Sequence, residues 1–219
     1  MNESLENSRR KMVEQQLRQR GVSDEKVLTA MLKVPRHLFV APALRMKAYS
    51  NSALPIDENQ TISQPYMVAV MSQALKIQGG EKVLEIGSGS GYQAAVLAEM
   101  GAKVFSIERI PRLATQARKL LESLGYLNVA VIAGDGTLGW PEYAPYDRII
   151  VTAGAPAIPD TLLAQLKDGG IMVVPVGDKY NQTLKIIRRT GNAAFTTDSI
   201  RCVFVPLIGA EGWNKNHNA

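Results

Sequence analysis

The chain has 219 residues, 46% of them hydrophobic and 21% charged, with a net charge of +5. That length buries one good core, and the composition is ordinary for a soluble globular protein. The single cysteine, Cys202, excludes an intramolecular disulfide and suits a reducing compartment, and no apolar run approaches the ~20 residues that span a bilayer.

Over residues 5–19, Leu5, Met12, Val13 and Leu17 share one helical stripe, and Gly21 offers a stop. Arg9, Arg10, Lys11, Arg18 and Arg20 concentrate positive charge here. They read as a solvated helix face rather than a nucleic-acid surface. Ser23 is placed to cap a second helix, with Asp24 and Glu25 at its positive end. Val27, Leu28, Met31 and Leu32 form its buried side, and Pro35 ends it. Residues 36–59 carry Pro42 and Pro55 and little periodicity, and read as loop with short helical turns. A connection of that length is more often functional than idle. His37, set among apolar neighbours, reads as structural.

The stretch Gln60-Thr61-Ile62-Ser63-Gln64-Pro65-Tyr66 leads into apolar Met67, Val70, Met71, Ala74 and Leu75. A helix is expected from about Gln64, with Ser63 at its N-cap. Gly79-Gly80 then opens onto a strand over 82–86. A glycine turn follows, Gly87-Ser88-Gly89-Ser90-Gly91, and a helix over 92–100. Further strands are expected at 103–107, 128–133, 147–152 and 171–176, with helices at 111–124 and 160–166. Strands alternating with helices imply a parallel, doubly wound sheet. Only residues 177–182 separate the strand ending at Val176 from the next, 183–189. A parallel return needs about a dozen residues, so this neighbour should be antiparallel, as should a last strand over 199–206. The remainder, 209–219, is polar apart from Trp213, and His217 within it reads as disordered.

The glycine turn points to a nucleotide-type ligand, but not to every one. Tyr92 stands where a dinucleotide fingerprint would place its last glycine, and no Gly-Lys-Ser/Thr follows to grip phosphates. Glu85, beside the turn, would repel phosphate but suits an ammonium or sulfonium group. Glu108 lies 21 residues after Gly87, where a carboxylate can accept from both hydroxyls of a ribose. Asp135, after the next strand, can accept from an adenine amino group. Amino acid, ribose and adenine without phosphate make S-adenosylmethionine. The expected fold is therefore α/β, a doubly wound Rossmann-like S-adenosylmethionine-dependent methyltransferase with a mostly parallel seven-stranded sheet ending in antiparallel strands. Residues 1–78 would add N-terminal helices and an active-site loop, 79–208 the core, and 209–219 a polar tail, as one domain overall.

Several acceptor chemistries lack their residues. Thr152-Ala153-Gly154-Ala155-Pro156 carries no amide or acid for an exocyclic amine and no acidic metal ligands, and Cys202 has no preceding proline and reads as core or strand filler. Histidine bases are scarce. A carboxylate acceptor, with a pKa near ~4, is already ionised at pH 7 and needs only in-line placement and exclusion of water.

Four stretches sharpen that choice: Val34-Pro35-Arg36-His37-Leu38-Phe39, Gln60 to Ala69, Leu84 to Tyr92, and Phe204-Val205-Pro206-Leu207. Together, over about residues 12–213, they resemble the protein-L-isoaspartate O-methyltransferase family. The resemblance implies methyl transfer to the free carboxylate of isoaspartyl residues in damaged proteins and peptides, with D-aspartyl residues as a further acceptor. Repair then proceeds through a succinimide. Ser63 matches the family's active-site serine, and Ile62 and Gln64 belong to the motif that lines the methyl donor. Glu85, Gly87, Ser88, Gly89, Glu108, Asp135 and Gly136 match its donor-binding positions, and Val205-Pro206-Leu207 the part bordering the substrate peptide. Tyr66 stands where animal members often have histidine.

An ordinary helix cap would also explain Ser63, and the two roles are compatible. The competing readings are a transfer-RNA adenine methyltransferase, which could use the basic first helix, and a non-catalytic S-adenosylmethionine-binding protein. The expectation is a cytoplasmic monomer without metal, nucleic-acid or membrane partners, whose partners are isoaspartyl proteins and peptides.

Overall fold

The computed structural model describes residues 2–214; His217 lies outside the described residues. Helix α1 (Asn2–Lys11) continues through a π-helical stretch, Met12–Leu17, and a 3-10 turn, Arg18–Arg20, to Gly21 in the left-handed region (φ 93°). Met12, Val13 and Leu17 are buried, as their stripe requires. Helix α2 (Glu25–Lys33) is capped by Asp24, whose side chain accepts from the Lys26 N–H. Ser23, the expected cap, instead donates its backbone N–H to Gln73 Oε1.

Residues 36–59 hold two 3-10 turns, Arg36–Leu38 and Pro42–Lys47, and the first arm of a small ribbon that periodicity could not reveal. In this ribbon β1 (Leu54–Pro55) pairs antiparallel with β2 (Thr61–Ile62). Its tip bends through Glu58 (φ 59°) and Asn59 (φ 55°), two successive left-handed residues without glycine. Helix α3 (Pro65–Ala74) starts one residue later than expected. Gln64 is its N-cap and makes no side-chain cap bond, so Ser63 is not the cap. Proline at the first helical position needs no partner for a missing N–H, which removes one of the donors a serine cap would serve.

The main sheet runs β3 (Lys82–Ile86), β4 (Lys103–Glu108), β5 (Val129–Ala133), β6 (Tyr146–Val151), β7 (Leu166–Gly177), β8 (Gln182–Thr190) and β9 (Ala193–Cys202) along the chain. Their spatial order is β5-β4-β3-β6-β7-β8-β9. The first five of these strands are parallel, and β8 and β9 are antiparallel to their neighbours. Helices α4 (Tyr92–Glu99), α5 (Pro111–Ser123) and α6 (Asp160–Gln165) make the connections. The central strands are buried on both faces, which is why they read as mostly apolar runs, interrupted in β3 by Glu85 and in β4 by Ser106. Val83, Val104, Ile150 and Val173 pack under the N-terminal helices, α3, α4 and α5. Leu84, Ile86, Ile149, Val151 and Met172 pack on the other face with Leu162 of α6.

The last strand corrects the sequence reading. It occupies Ala193–Cys202 rather than 199–206, and most of its residues are exposed on both sides. Without burial there was no alternation to reveal it. The apolar segment taken for its end leaves the sheet instead. Gly154 N–H donates to Val205 O (2.8 Å) and Leu207 N–H to Gly154 O (2.8 Å), carrying residues 205–207 across the end of β6.

The corrected cap is open to test by chemical denaturation. Asp24→Ala should lower unfolding free energy by about 1 kcal/mol, and Ser23→Ala by no more than a few tenths. Equal losses would restore Ser23 as the cap.

Candidate active site

After β3 the chain grows outward through β4 and β5, then returns to place β6 on the other side of β3. Loops leaving β3 and β6 therefore diverge, and a crevice opens beyond the carboxyl ends of the strands, where doubly wound sheets hold ligands. Here it is a cavity of about 500 Å³, within the range of small-molecule sites. Gly87, Ser88, Gly89 and Ser90 line it from β3, Glu108, Arg109 and Ile110 from β4, Gly136 from the loop after β5, and Thr152 and Ala153 from β6. Asn59, Gln60, Thr61, Ile62 and Ser63 form one wall, and Val205, Pro206, Leu207 and Ile208 another.

The glycine turn is stitched to its neighbours. Gly87 N–H donates to Ile107 O (2.8 Å), and Thr152 Oγ1 donates to Ile86 O (2.9 Å) and Gly87 O (2.6 Å). A Cβ at Gly87 would stand 2.6 Å from that hydroxyl, on a backbone already at φ +97°. Gly136 is held similarly close: a Cβ there would fall 2.4 Å from Ile86 Cγ2.

The three acids expected around the ligand behave differently. Glu108 does line the cavity. Its Oε2 accepts from Gly89 N–H (2.9 Å) and its Oε1 from Ile110 N–H (2.9 Å), which anchors the carboxylate and leaves further lone pairs for a diol. Asp135 does not line it. Its Oδ1 accepts from the Thr137 N–H and hydroxyl (2.9 and 2.7 Å) and its Oδ2 from Ala210 N–H (2.8 Å). Its carboxylate, read from the sequence as an adenine acceptor, caps the short turn that presents Gly136 to the cavity.

Glu85 is also behind the cavity, fully buried. Parallel register sets it beside Ser106, whose hydroxyl donates to Glu85 Oε2, and Ser106 Oγ shares a 2.5 Å hydrogen bond with Ser88 Oγ at the cavity wall. Burial first, and the nearby Glu108 in addition, push the Glu85 carboxyl up to about 8. It is therefore protonated at neutral pH and is not the charged carboxylate facing a cation that the sequence suggested. Its Oε1 has no hydrogen-bond partner among the described residues.

Gln64 turns away as well, its side-chain amide Nε2 donating to Asn51 O (2.8 Å). Ile62 and Ser63 stay in the wall. Ser63 O accepts from Arg36 Nη2 (2.8 Å), while no hydrogen bond to the protein engages Ser63 Oγ among the described residues. Sequence reasoning assigned no site role to Arg36, Thr152 or Asn59, while Gln60 and Thr61 belong to the motif it placed around the donor. Arg36 carried one visible signal, a lone charge in Val34-Pro35-Arg36-His37-Leu38-Phe39. His37 bonds Tyr49 through Nδ1 (2.7 Å), away from the lining, and burial raises the Cys202 thiol to about 11.

Apart from Glu108, Arg109 and Tyr92, the lining has no titratable side chain, and no group of three or more metal-ligating residues occurs among the described residues. The arrangement fits an adenosyl ligand. Glu108 offers diol acceptors, Gly136 a close backbone approach, and Ile107 and Ile110 apolar faces for a base. The unpartnered Oε1 of Glu85, a carboxylic acid behind Ser88, leaves a further polar group beside the glycine turn.

Comparison with known proteins gives one consistent result. The family model for Protein-L-isoaspartate(D-aspartate) O-methyltransferase (PCMT) matches residues 7–212. The chain is 54% identical over 210 residues to the protein-L-isoaspartate O-methyltransferase of Trichlorobacter lovleyi, covering 95% of this chain and 97% of that one. It is 57% identical over 212 residues to protein-L-isoaspartate O-methyltransferase 2 of Geotalea uraniireducens, covering 96% and 98%. A solved protein-L-isoaspartate O-methyltransferase superposes with a TM-score of 0.84 at 32% identity, over 93% of this chain and 67% of that one. A Plasmodium falciparum beta-aspartate methyltransferase (PCMT), in complex with S-adenosyl-L-homocysteine, superposes with a TM-score of 0.76 at 25% identity, over 90% and 96%.

The state of Glu85 has a measurable consequence. Folded, the carboxyl keeps its proton to about 8; unfolded, it loses it near its ordinary 4.5. The native state thus binds more protons between those values, and stability from this group is full below 4.5 and lost as pH rises through 8. Against Glu85→Gln, wild-type unfolding free energy should decline steadily across that window. A constant difference between the two proteins would contradict a protonated Glu85.

Proposed function

The chain belongs to the protein-L-isoaspartate(D-aspartate) O-methyltransferase family, and from that premise we propose how its residues divide the work. The enzyme methylates isoaspartyl residues in damaged proteins, with S-adenosylmethionine as donor. S-adenosylmethionine supplies an electrophilic methyl group on a sulfonium. An acceptor carboxylate oxygen attacks that carbon in line, and the C–S electron pair leaves on sulfur as S-adenosylhomocysteine. The methyl ester is a better electrophile than the acid. The next backbone nitrogen closes on its carbonyl, expelling methanol and leaving a succinimide that water opens to aspartyl or isoaspartyl.

In our reading Glu108 accepts from the ribose hydroxyls, Gly87, Ser88 and Gly89 hold the amino-acid end, and Gly136 borders the adenine. Asp135 and Glu85 act from behind, through Gly136 and Ser88. Ser63 donates its hydroxyl to one oxygen of the acceptor carboxylate and turns the other toward the methyl group. Residues 205–207 border the substrate backbone. The observation that carries these roles is that Ser63, its hydroxyl unengaged by protein, and Glu108 line one cavity. The lining lacks histidine, lysine and cysteine bases. That poverty suits a carboxylate, which at pH 7 has no proton to surrender. Catalysis is then chiefly positional.

We further propose that residues 1–78 and 79–208 work as one domain, with 209–219 a polar tail, in a cytoplasmic monomer that has no nucleic-acid or membrane partner. Supporting this, Arg18 in the basic first helical segment is already paired with Glu14 (3.2 Å) and Glu25 (2.5 Å). Nothing among the relatives described supports the transfer-RNA reading.

The test uses labelled methyl donor with an isoaspartyl peptide, its normal aspartyl twin, or transfer RNA. Label should enter the isoaspartyl peptide alone; label on RNA would overturn the reading. Because Ser63 caps no helix, Ser63→Ala should reduce kcat by about tenfold or more while the unfolding midpoint moves little. Parallel loss of both would leave Ser63 a structural residue.

A further inference from the structure

Arg36 is among the largest fully buried side chains of the described residues, with Tyr92 and Tyr146. No carboxylate is among its partners. Nε donates to Ala48 O (2.7 Å), Nη2 to Ser63 O (2.8 Å), and Nη1 has no hydrogen-bond partner among the described residues. The guanidinium carbon lies 4.8 Å from the centre of the Tyr92 ring. Burial lowers its pKa only to about 10, so it remains a cation at neutral pH. A buried charge without a counter-charge is costly, and an apolar side chain of equal volume would fill the space as well. What an apolar side chain could not do is bond two carbonyls in one plane while stacking on a ring.

The two ends of this contact lie on opposite halves of the cavity. Tyr92 opens α4 directly after the glycine turn and lines the donor side. Ser63 is the link between β2 and the residue that caps α3. Gln64 after it is confined to an extended backbone (φ −51°, ψ 137°) by Pro65, so the Ser63–Gln64 peptide plane is one of few freedoms left to this link. The recorded bond to that plane's carbonyl comes from Arg36. Fixing the plane restrains the direction in which Ser63 Cβ leaves the backbone, so that χ1 alone, with its three staggered wells, remains to place Oγ.

We propose that Arg36 is a positioning residue for methyl transfer, whose guanidinium, stacked on Tyr92 and bonded to the Ser63 carbonyl, aims the Ser63 hydroxyl at the acceptor carboxylate across from the donor turn. The inference rests on the reading of Ser63 given above. Arg36 touches neither substrate and works through Ser63 alone.

A double-mutant cycle tests it. Arg36→Lys keeps the charge but replaces a planar fork with a single point donor. In the folded variant, kcat with a synthetic isoaspartyl peptide should fall about tenfold to 100-fold, the loss that a misplacement near 1 Å produces. The peptide KM and the calorimetric Kd for S-adenosylhomocysteine should each stay within about threefold. In a Ser63→Ala background, Arg36→Lys should cost no further kcat, because residues acting as one unit are not additive. Full additivity, unchanged kcat, or a loss of S-adenosylhomocysteine affinity matching the loss of kcat would each overturn the proposal. If Ser63→Ala alone left kcat unchanged, the reading of Ser63 would fail and this inference with it. If Ser63→Ala were crippling and Arg36→Lys additive, only this inference would fail. Should Arg36→Lys not fold, Arg36→Gln replaces it in the cycle; failure of both to fold would make Arg36 a fold determinant and overturn the positioning role.

Discussion

Thr152 closes on the backbone of Gly87, and it can do so only because residue 87 has no side chain. That contact seals the seam between β3 and β6 at the point where the sheet reverses its direction of growth. With the seam closed, the turn after β3 bends into the crevice, Gly89 reaches Glu108, and α4 starts at Tyr92. With a Cβ at residue 87 the hydroxyl would have to withdraw, and Gly87 O would lose its bond to Thr152 while Ile86 O kept only the Thr152 backbone N–H. Donor site and sheet topology are thus one piece of geometry.

Around this seam the charges are arranged to hold rather than to react. Of three acids at successive strand ends, one faces the cavity with its oxygens already anchored, one is spent on a turn and residue 210, and one is neutral and buried. No histidine, lysine or cysteine stands in the lining. An acceptor that arrives ionised asks for none. The remaining requirement is alignment, and the structure meets it by bringing a wall from the N-terminal part, 59–63, against the glycine turn from the core. The ribbon carrying that wall is tied to α5 through Asp57, which meets Arg112 (3.4 Å) and Gln116 (3.0 Å). Pairs this exposed add little stability, so packing, including that of Ile56 against the core, sets the position of the ribbon.

What could be read in the sequence follows from burial. The parallel strands are covered on both faces, so Val83 to Ile86 and Ile149 to Val151 stand out as apolar runs, and glycines mark where the backbone must turn. The antiparallel ending was legible from one short connection, 177–182. Strand β9 was not, because Phe195 and its neighbours lie in solvent and carry no alternation. Within the site, residue types announced that acids and glycines gather at strand ends, but not which way each side chain points. Glu85 and Glu108 look alike in sequence and share a face of the sheet; register leaves the first beneath the turn, beside Ser106, while the second, two residues beyond Ser106 at the end of β4, reaches the cavity. Arg36 was hidden for a related reason. A charge in an apolar stretch gives no hint that two distant carbonyls and a ring await it.

The central claim is that the glycine turn holds the donor while the clamped 59–63 wall directs the acceptor. A crystal structure of the enzyme with S-adenosylhomocysteine and an isoaspartyl peptide tests it most directly. The account predicts ribose hydroxyls on Glu108, sulfur facing the 59–63 wall, and the isoaspartyl carboxylate within hydrogen-bond distance of Ser63 Oγ. A carboxylate seated away from Ser63, or a ribose held by residues other than Glu108, would contradict it.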